Sequence, residues 1–465
     1  MNQELLRNRT FDQLQVGESA SLTRVASEQD IGLFAALSGD VNPAHMDPAF
    51  AAGDRFGHVI VHGMWTGALV SAVLGTELPG PGTIYLGQEL RFSRPVSPGD
   101  TITATVTVLS KDEAKGRVSL DTRCVNQQGE VVLSGQALVL APREPVSWPR
   151  MPVPTAAVQR HDGYAQILKQ ARSLGPLPTA VVHPCSADAL RAALEARDQE
   201  LLLPVLVGPT ARIQATADAA GLSLQELEIV DAPHSHAAAS LAVQMAVQGR
   251  VAALMKGSLH TDELLGAVVA PDSGLHTGRR ISHVYLMDVP SYRKPLLVTD
   301  AAINIAPTLA HKRDICQNAI DLLHVMGVAQ PKVAVLAAVE TVNPAMPATL
   351  DAAALSVMAA RGQITGALVD GPLAFDNAIS LAAAQTKAIV SPVAGDADIL
   401  LVPDLEAGNM LAKQLIYLAG ADAAGLAVGA RVPIILTSRA DSVSVRLASS
   451  ALACLVAARS QRVGA

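Results

Sequence analysis

Residues 38–50 read SGDVNPAHMDPAF and place an acid and an imidazole on the two sides of a proline. Pro43 has a fixed φ and also restricts the conformation of Asn42, so the backbone between Asp40 and His45 is stiff. A solvated loop requires neither a carboxylate nor an imidazole at fixed positions. The stretch therefore predicts that the side chains of Asp40 and His45 converge on one point.

Helical and strand-like segments surround this stretch. A helix before it is predicted by a capping box (SEQD, residues 27–30), by the stop at Gly39 and by an apolar stripe of Ile31, Phe34 and Leu37. After it, VHGMWTGALVSAVLGTEL is apolar almost all round, as in a helix wrapped by a sheet. Four strand-like runs follow: TIYLGQELRF, DTITATVTVLS, RVSLDTRCV and EVVLSGQALVL. This order predicts an α+β fold.

A carboxylate and an imidazole that share one water can add it across a carbon–carbon double bond. One group takes a proton from the water, and the other supplies or takes the second proton. The double bond must also be polarised, which a conjugated thioester allows if N–H donors hold its oxygen. Gly63, at the start of the long helix, lets the backbone approach such an oxygen, and the helix dipole favours the developing negative charge. His62 next to it is interpreted as a helix-start residue with a structural hydrogen bond.

Composition limits the class of protein. The chain has 465 residues, half of them apolar, and a net charge of -7, with no Lys/Arg-rich run, so we expect two or three domains and no nucleic-acid partner. The four cysteines are scattered without CxxC spacing, which favours reduced thiols over disulfides or zinc. The polar start MNQELLRNRTF and the Arg-interrupted last apolar stretch predict a cytoplasmic protein with no membrane association.

A domain boundary is predicted near residue 142. Five of the six phenylalanines lie at or before Phe92, and only Phe375 lies beyond it. The run PREPVSWPRMPVP (residues 142–154) contains five prolines, which predicts an extended linker that pairs in neither helix nor sheet. We expect a first domain over residues 1–142, a linker over 143–158 and a second domain over 159–465.

The second part predicts an α/β fold. Eight apolar runs (TAVVHP, LLLPVLVGP, VAALMKG, PLLVTD, KVAVLAAVE, GALVDGP, ILLVPD and VPIILTSR) alternate with helical stretches, which indicates a parallel sheet covered on both faces. Ligands bind beyond the carboxyl ends of such strands, so the polar residues there predict a cleft. These residues are Lys256, Asp300, Glu340, Asp370, Asp404 and Ser438. Each of them is equally well explained as a turn former or a helix cap.

The motifs at these strand ends suit a phosphate-bearing substrate. The chain lacks GxGxxG, GxxxxGK[ST], GxSxG and HExxH, which argues against dinucleotide, P-loop, hydrolase-elbow and metalloprotease sites. What remains are small polar and cationic groups in LMKGSLHT, HTGRRISH and TSRADS, and arginine binds phosphate oxygens bidentately. Arg279 and Arg280 are also explained as a solvated pair.

The first part resembles the MaoC-type (R)-specific enoyl-CoA hydratases. The strings that carry the resemblance are FAALSGDVNPAHMDPAF, IVHGM and YLGQELRFSRPVSPGD. The resemblance implies a hot-dog fold that works as a dimer, with Asp40 and His45 as the catalytic pair and the Gly63 amide as an oxyanion-hole donor. It also implies that Ser71 supports the imidazole or the water.

The second part resembles the phosphate acetyltransferase and phosphate butyryltransferase family. The carrying strings are LMKGSLHT, ISHVYLM, TDAAINIAPT, DGPLAFDNA, VPDLEAGNMLAKQL and TSRADS. The resemblance implies two lobes with parallel sheets, about 159–295 plus 435–465 and about 296–434. It implies acyl transfer between CoA and phosphate with no tightly bound cofactor and no metal. Ser438 and Arg439 would hold phosphate or the developing charge, and the other implied substrate-binding residues are Lys256, Ser258, His260, Thr261, Arg280, Asn304, Glu340 and Asp441.

Some alternatives stay open in the sequence. In acetyl-type members a carboxylate follows the Ser-Arg pair, whereas residues 442–445 here read SVSV, so the general base is unassigned. Asp441 is equally well explained as a helix cap, and AAVETVNPAM resembles the butyryl branch. The predicted protein is a two-function, homo-oligomeric enzyme. Its rivals are a transferase with an inert dimerisation and acyl-CoA-binding module, and a metal-dependent hydroxyacid dehydrogenase.

Overall fold

The structure is a computed structural model, and it describes residues 4–153, 162–436 and 442–463. The chain divides into two compact units, Met1–Val158 and Gln159–Ala465. Each unit has its own sheet and its own buried core, and each is described by itself.

The first unit is an antiparallel sheet that covers one long helix. Its five strands lie in the order β2-β4-β5-β6-β3, and helix α4 packs against β2, β4 and β5. The elements are β1 Leu5–Arg7, β2 Ser19–Val25, α1 Glu28–Ser38, α2 Pro43–Met46, α3 Pro48–Gly53, α4 Gly63–Thr76, β3 Ile84–Phe92, β4 Thr101–Asp112, β5 Arg117–Val125, β6 Val131–Leu140 and β7 Ser147–Pro149. The predicted long helix and all four predicted strands are confirmed.

Helix α1 forms where its capping residues predict it. Ser27 accepts a hydrogen bond from the Asp30 N–H, the Asp30 carboxylate accepts from the Ser27 N–H, and Gly39 ends the helix with φ 75°. The predicted apolar stripe is wrong in its last member, because Leu37 is 86% exposed. The helix leaves the core in its last turn.

The proline-rich run does not stay unpaired. Strand β7 pairs antiparallel with β1, with Leu6 opposite Trp148. The prediction that residues 142–154 pair in neither helix nor sheet is therefore wrong at this point. Ser147 and Trp148 lie between prolines and keep their backbone N–H groups, so a short ladder is possible.

The second unit contains one eleven-stranded sheet with helices around it. Its elements are α5 Asp162–Arg172, β8 Leu177–Val182, α6 Ala187–Asp198, β9 Leu202–Gly208, α7 Thr210–Ala219, β10 Glu228–Asp231, α8 Ser235–Val247, β11 Ala253–Lys256, α9 Thr261–Val269, β12 Ser282–Asp288, β13 Leu296–Thr299, α10 Leu309–Val325, β14 Lys332–Leu336, α11 Pro347–Ala360, β15 Leu368–Leu373, α12 Phe375–Ile379, α13 Leu381–Thr386, β16 Ile399–Leu401, α14 Leu405–Ala419, β17 Asp422–Val428, β18 Ile434–Ile435 and α15 Val443–Val463. All eight predicted strands are present.

The sheet is mixed rather than purely parallel. Its order is β10-β9-β8-β11-β18-β17-β12-β13-β16-β14-β15, and the three pairings β18·β17, β17·β12 and β12·β13 are antiparallel. The strands on either side of these pairings form two parallel groups that run in opposite directions. The carboxyl ends that carry Lys256 and Asp300 therefore lie at opposite ends of the strands and not at one shared end. Strands β12 and β17, which reverse the direction, were not among the predicted runs.

The last helix, α15, is buried in its middle against β17, as its apolar sequence predicts. Within the described residues, every helix is too short or too polar to cross a lipid bilayer.

Candidate active sites

His45 lies on the short helix α2, which the sequence around Pro43 forms. The Asn42 side chain caps this helix by accepting from the Ala44 N–H, and Pro43 occupies its first position. His45 Nδ1 lies 2.8 Å from the backbone oxygen of Ile60. A carbonyl only accepts, so Nδ1 carries the proton and Nε2 keeps its lone pair. This tautomer is the one that a general base needs.

Asp40 lies beside His45 in the turn after α1. Its carboxylate is exposed and accepts a 3.2 Å hydrogen bond from the Asn42 N–H. Ligand atoms of Asp40, His45 and His62 all lie within 4.8 Å of one another. The structure thus brings Asp40 and His45 together, as their positions around the proline predict. The two imidazoles are stacked, with ring centroids 4.0 Å apart and a 33° tilt, so their in-plane lone pairs do not converge on one ion.

Gly63 is the first residue of α4, where backbone N–H groups have no partner within the helix. The preceding residue, His62, makes no side-chain cap, so the Gly63 N–H stays available for a ligand, whereas the Trp65 N–H donates to the His62 oxygen. A Cβ at Gly63 would lie 3.1 Å from the Phe92 ring, so a side chain there would require the ring to shift by a few tenths of an ångström. Gly63 and His45 line one cavity of about 220 Å³, with Arg55 at its wall. The other lining residues include Phe56, Phe92 and Arg94.

Ser71 lies elsewhere. It lines a groove of about 620 Å³ together with Phe34, Tyr85 and Gln88, whereas His45 and Gly63 line the smaller cavity. Ser71 thus lines a different cavity from His45, and its supporting role stays a prediction.

In the second unit, the segment after β11 forms the first cluster of predicted residues. Lys256 Nζ donates to the carbonyl oxygens of Gly257 and Leu259, at 3.4 and 3.2 Å. Ser258 donates to the Ser186 hydroxyl at 3.0 Å. His260 precedes α9 without capping it by its side chain, and Thr261 starts that helix.

A second cluster holds Arg280. Its Nε donates to Asn304 Oδ1 at 2.6 Å. Asn304 is 3% exposed, and its amide donates to the Ile281 oxygen at 2.9 Å and to the Asp300 carboxylate at 2.5 Å. Asp300 also accepts from the backbone N–H groups of residues 302–304. This buried network fixes the direction of the exposed Arg280 guanidinium, which lines a cavity of about 460 Å³ with Arg279 and His276.

One further predicted residue, Glu340, has polar partners of its own. Glu340 accepts from Lys387 at 3.2 Å and from Asn377 at 3.3 Å. Its own backbone N–H and the Lys387 ammonium lower the pKa of the Glu340 carboxyl. Ser438, Arg439 and Asp441 lie outside the described residues, and their roles stay predictions. The strand before them, β18, is the neighbour of β11, which carries Lys256.

Two family models match the chain. The phosphate acetyl/butaryl transferase model matches residues 235–454, and the MaoC like domain model matches residues 12–128. The phosphate acetyltransferase of Rhizobium meliloti is 58% identical over 296 residues, which cover 64% of this chain and 94% of that protein. The chain belongs to the phosphate acetyl/butyryl transferase family.

Other comparisons agree with this family. The probable phosphate butyryltransferase of Bacillus subtilis is 47% identical over 272 residues, which cover 56% of this chain and 91% of that protein. The branched-chain phosphotransacylase of Enterococcus faecalis has a solved structure that matches with a TM-score of 0.54 and 29% identity, covering 60% of this chain and 99% of that one. The transferase carries a MaoC-like domain before this part. Both predicted resemblances, and the fold classes that they imply, are confirmed.

Several residues of the two sites were missed by sequence reasoning. His183 and Ser186 follow β8, next to residues 257 and 258, and burial lowers the pKa of His183. Arg55 and Arg94 line the cavity of the MaoC-like domain. A histidine at the end of an apolar strand was the only signal for His183, and no local pattern distinguishes the two arginines from surface charges.

Proposed function

We propose that this transferase family member is a two-function enzyme. Its MaoC-like domain hydrates trans-2-enoyl-CoA to (R)-3-hydroxyacyl-CoA, and its second domain moves an acyl group between CoA and inorganic phosphate. The observation that carries the first activity is a His45 ring nitrogen within 4.8 Å of the Asp40 carboxylate, on a side chain that lines one cavity with Gly63. Family membership carries the second activity.

Hydration follows from the positions of these three groups. His45 Nε2 or the Asp40 carboxylate takes one proton from a shared water, whose oxygen bonds to the β-carbon. The proton taken from the water is then delivered to the α-carbon by the same pair of groups, so the pair returns to its starting state and both transfers occur on one face of the double bond. The Gly63 amide holds the thioester oxygen while negative charge develops there, and loss of one such donor costs roughly 10²–10³ in rate.

Two arginines suit the CoA end of the substrate. Arg55 and Arg94 line the cavity that contains His45 and Gly63, and both are exposed. Arg94 has only a 3.5 Å contact with Glu130, between two exposed side chains, which is a weak pairing. Guanidinium groups bind phosphate oxygens bidentately, so these residues can hold the CoA phosphates at the cavity entrance.

The hydratase activity is tested by Asp40→Asn with crotonyl-CoA as substrate. We expect the rate of hydration to fall roughly 10²–10⁴-fold, because a proton-transfer group is lost. Asp47→Asn is the matched control, since Asp47 caps α3 and asparagine caps a helix equally well. Equal background rates in wild type, Asp40→Asn and Asp47→Asn would instead favour an inert dimerisation and acyl-CoA-binding module.

For the transferase activity, we propose that Arg439 binds the reacting phosphate and that Lys256, Ser258, His260, Thr261 and Asp441 line the substrate path. We propose that Arg280 attracts phosphate from its own cavity and so lowers the KM for phosphate. The buried Asn304 and Asp300 orient Arg280. Acyl transfer then depends on positioning and on charge stabilisation as the CoA thiolate leaves. Both acetyl and butyryl donors remain candidates, since the relatives include enzymes named for each.

The transferase activity is tested by acyl-CoA-dependent phosphate consumption with C2 to C6 donors. Arg439→Ala should abolish acyl phosphate formation and leave crotonyl-CoA hydration intact. Arg361→Ala, which removes an exposed arginine after α11, is the control. Loss of both activities in a folded Arg439→Ala protein would contradict independent sites.

We also propose that the enzyme is cytoplasmic and forms a homo-oligomer through its MaoC-like domain. Strand β3 is at the edge of its sheet, and among the described residues its outer edge has no partner strand. Ile84 on this strand is 55% exposed, and Leu86 and Phe92 are exposed as well. An exposed apolar edge strand is a surface that natural proteins cover. A second copy of the same strand would cover it.

A further inference from the structure

His62 is a buried imidazole that touches both members of the catalytic pair. We propose that His62 is a positioning residue of the hydration site, which holds the Asp40 turn and the His45 ring in one arrangement beside the Gly63 amide. This inference rests on the proposed hydratase function. It assigns His62 a task beyond that of a helix-start residue.

The first contact is with the Asp40 turn. His62 Nε2 lies 2.9 Å from the Asp40 backbone oxygen, so Nε2–H donates to it. Within the described part of the chain, the other hydrogen bonds of Asp40 connect it to Ser38 and Asn42, two residues away on either side. Hydrogen bonds within a turn fix its conformation but not its position relative to the core. The His62 bond spans 22 positions and attaches the exposed turn to the core.

The second contact is with the His45 ring. The two ring centroids are 4.0 Å apart, and the planes are tilted by 33°. The bond from Nδ1 to the Ile60 oxygen holds His45 at one atom, and the ring can still turn about that bond. Contact with the His62 ring opposes this rotation of the imidazole and so sets the direction in which the His45 Nε2 lone pair points.

His62 itself is firmly held. It is the residue before α4, it is 2% exposed, and its ring lies 5.1 Å from that of Phe34. Its Nδ1 is buried and has no hydrogen-bond partner among the described residues. A buried polar atom without a partner is destabilising, so an apolar side chain would serve a purely structural position better. The imidazole is explained by the bond that its other nitrogen makes to Asp40.

The test compares His62→Gln with His62→Asn in the full-length protein. The amide nitrogen of glutamine reaches about as far as Nε2 and can still donate to the Asp40 oxygen, whereas that of asparagine reaches only as far as Nδ1. We expect kcat for crotonyl-CoA hydration to fall on the order of 10²-fold in His62→Asn, since misplacement by about 1 Å has such an effect. We expect His62→Gln to recover most of this loss, with KM unchanged in both.

His58→Asn is the matched control. His58 is exposed, and its ring contacts Ser97 on the surface, so hydration should stay at the wild-type rate. Acyl phosphate formation should be unchanged in all three variants, which reports on folding of the rest of the chain. Equal kcat losses in His62→Gln and His62→Asn, or no loss in either, would overturn the positioning role. Absence of hydration in the wild type would refute the hydratase function instead.

A measurement on the wild type covers the case in which a His62 variant does not fold. ¹⁵N NMR of histidine-labelled protein reports which ring nitrogen carries the proton. The structure requires the Nε2–H form of His62, because a carbonyl accepts at that atom. An Nδ1–H form would mean that the Asp40 oxygen is not bonded, and the proposal would fail.

Discussion

Replacement of Asn304 by alanine should change two measurable quantities, the free energy of unfolding of the transferase domain and its KM for phosphate. The Asn304 amide donates to the Ile281 oxygen and to the Asp300 carboxylate, and both acceptors are buried. A buried acceptor that loses its donor costs about 1–3 kcal/mol, so we expect Asn304→Ala to lower the free energy of unfolding by about 2–4 kcal/mol. The exposed Arg280 guanidinium regains water and adds little to this cost.

The effect on activity comes from Arg280, which loses the acceptor that fixes its direction. A hydrogen bond to a charged group contributes about 1.5–3 kcal/mol, so the KM for phosphate should rise roughly tenfold. The control is Asn318→Ala, because the buried Asn318 amide donates to the Arg280 backbone oxygen and to Ser282 and makes no bond to the guanidinium.

The assay is acyl phosphate formation at varied phosphate, with chemical denaturation of each variant alongside. Asn318→Ala should lose comparable stability and keep the wild-type KM for phosphate. Equal phosphate KM values in folded Asn304→Ala and Asn318→Ala would refute the argument that Asn304 orients a phosphate-binding Arg280.

Two further predictions concern the transferase domain. Gly257→Ala should abolish acyl transfer and leave hydration intact in parallel activity assays. The reason is that a Cβ at this position would overlap the Val182 oxygen and lie 2.7 Å from the His183 oxygen. Full transfer activity in the variant would contradict this close packing. The pKa of His283 is lowered by its burial, so stability should fall as pH drops below about 6.5, where the unfolded chain binds the proton more readily. When the free energy of unfolding is measured from pH 7 to pH 5, it should fall less steeply in His283→Gln than in the wild type. The same slope in both proteins would contradict the role of His283.

Local sequence patterns predicted most of the elements. The capping box of α1 and the apolar run of α4 each depend on neighbouring residues, and both helices form there, whereas the short helix α2 was not predicted. Strands β2, β10, β12 and β17 were missed. Residues 422–428 (DAAGLAV) consist mostly of small side chains, which give little strand signal, although β17 lies at the centre of the sheet.

Strand direction shows the limit of local patterns most clearly. An apolar run predicts a buried strand but not whether it runs up or down, since that depends on its hydrogen-bonded neighbours. Here β12 and β17 pair antiparallel and divide the parallel strands into two opposed groups. The polar strand ends that looked like one set therefore form separate clusters, one around Lys256 and one around Arg280.

The sequence by itself determined the two families, the stiff backbone that carries Asp40 and His45, and the helix start at Gly63, because these depend on residues within a few positions of one another. Only the tertiary structure decided the His45 tautomer, through the Ile60 oxygen, and placed His62 against both members of the proposed catalytic pair. It also joined Arg280 to Asn304 across 24 positions. Contacts between distant residues follow from how strands pair and helices pack, and no local pattern specifies them.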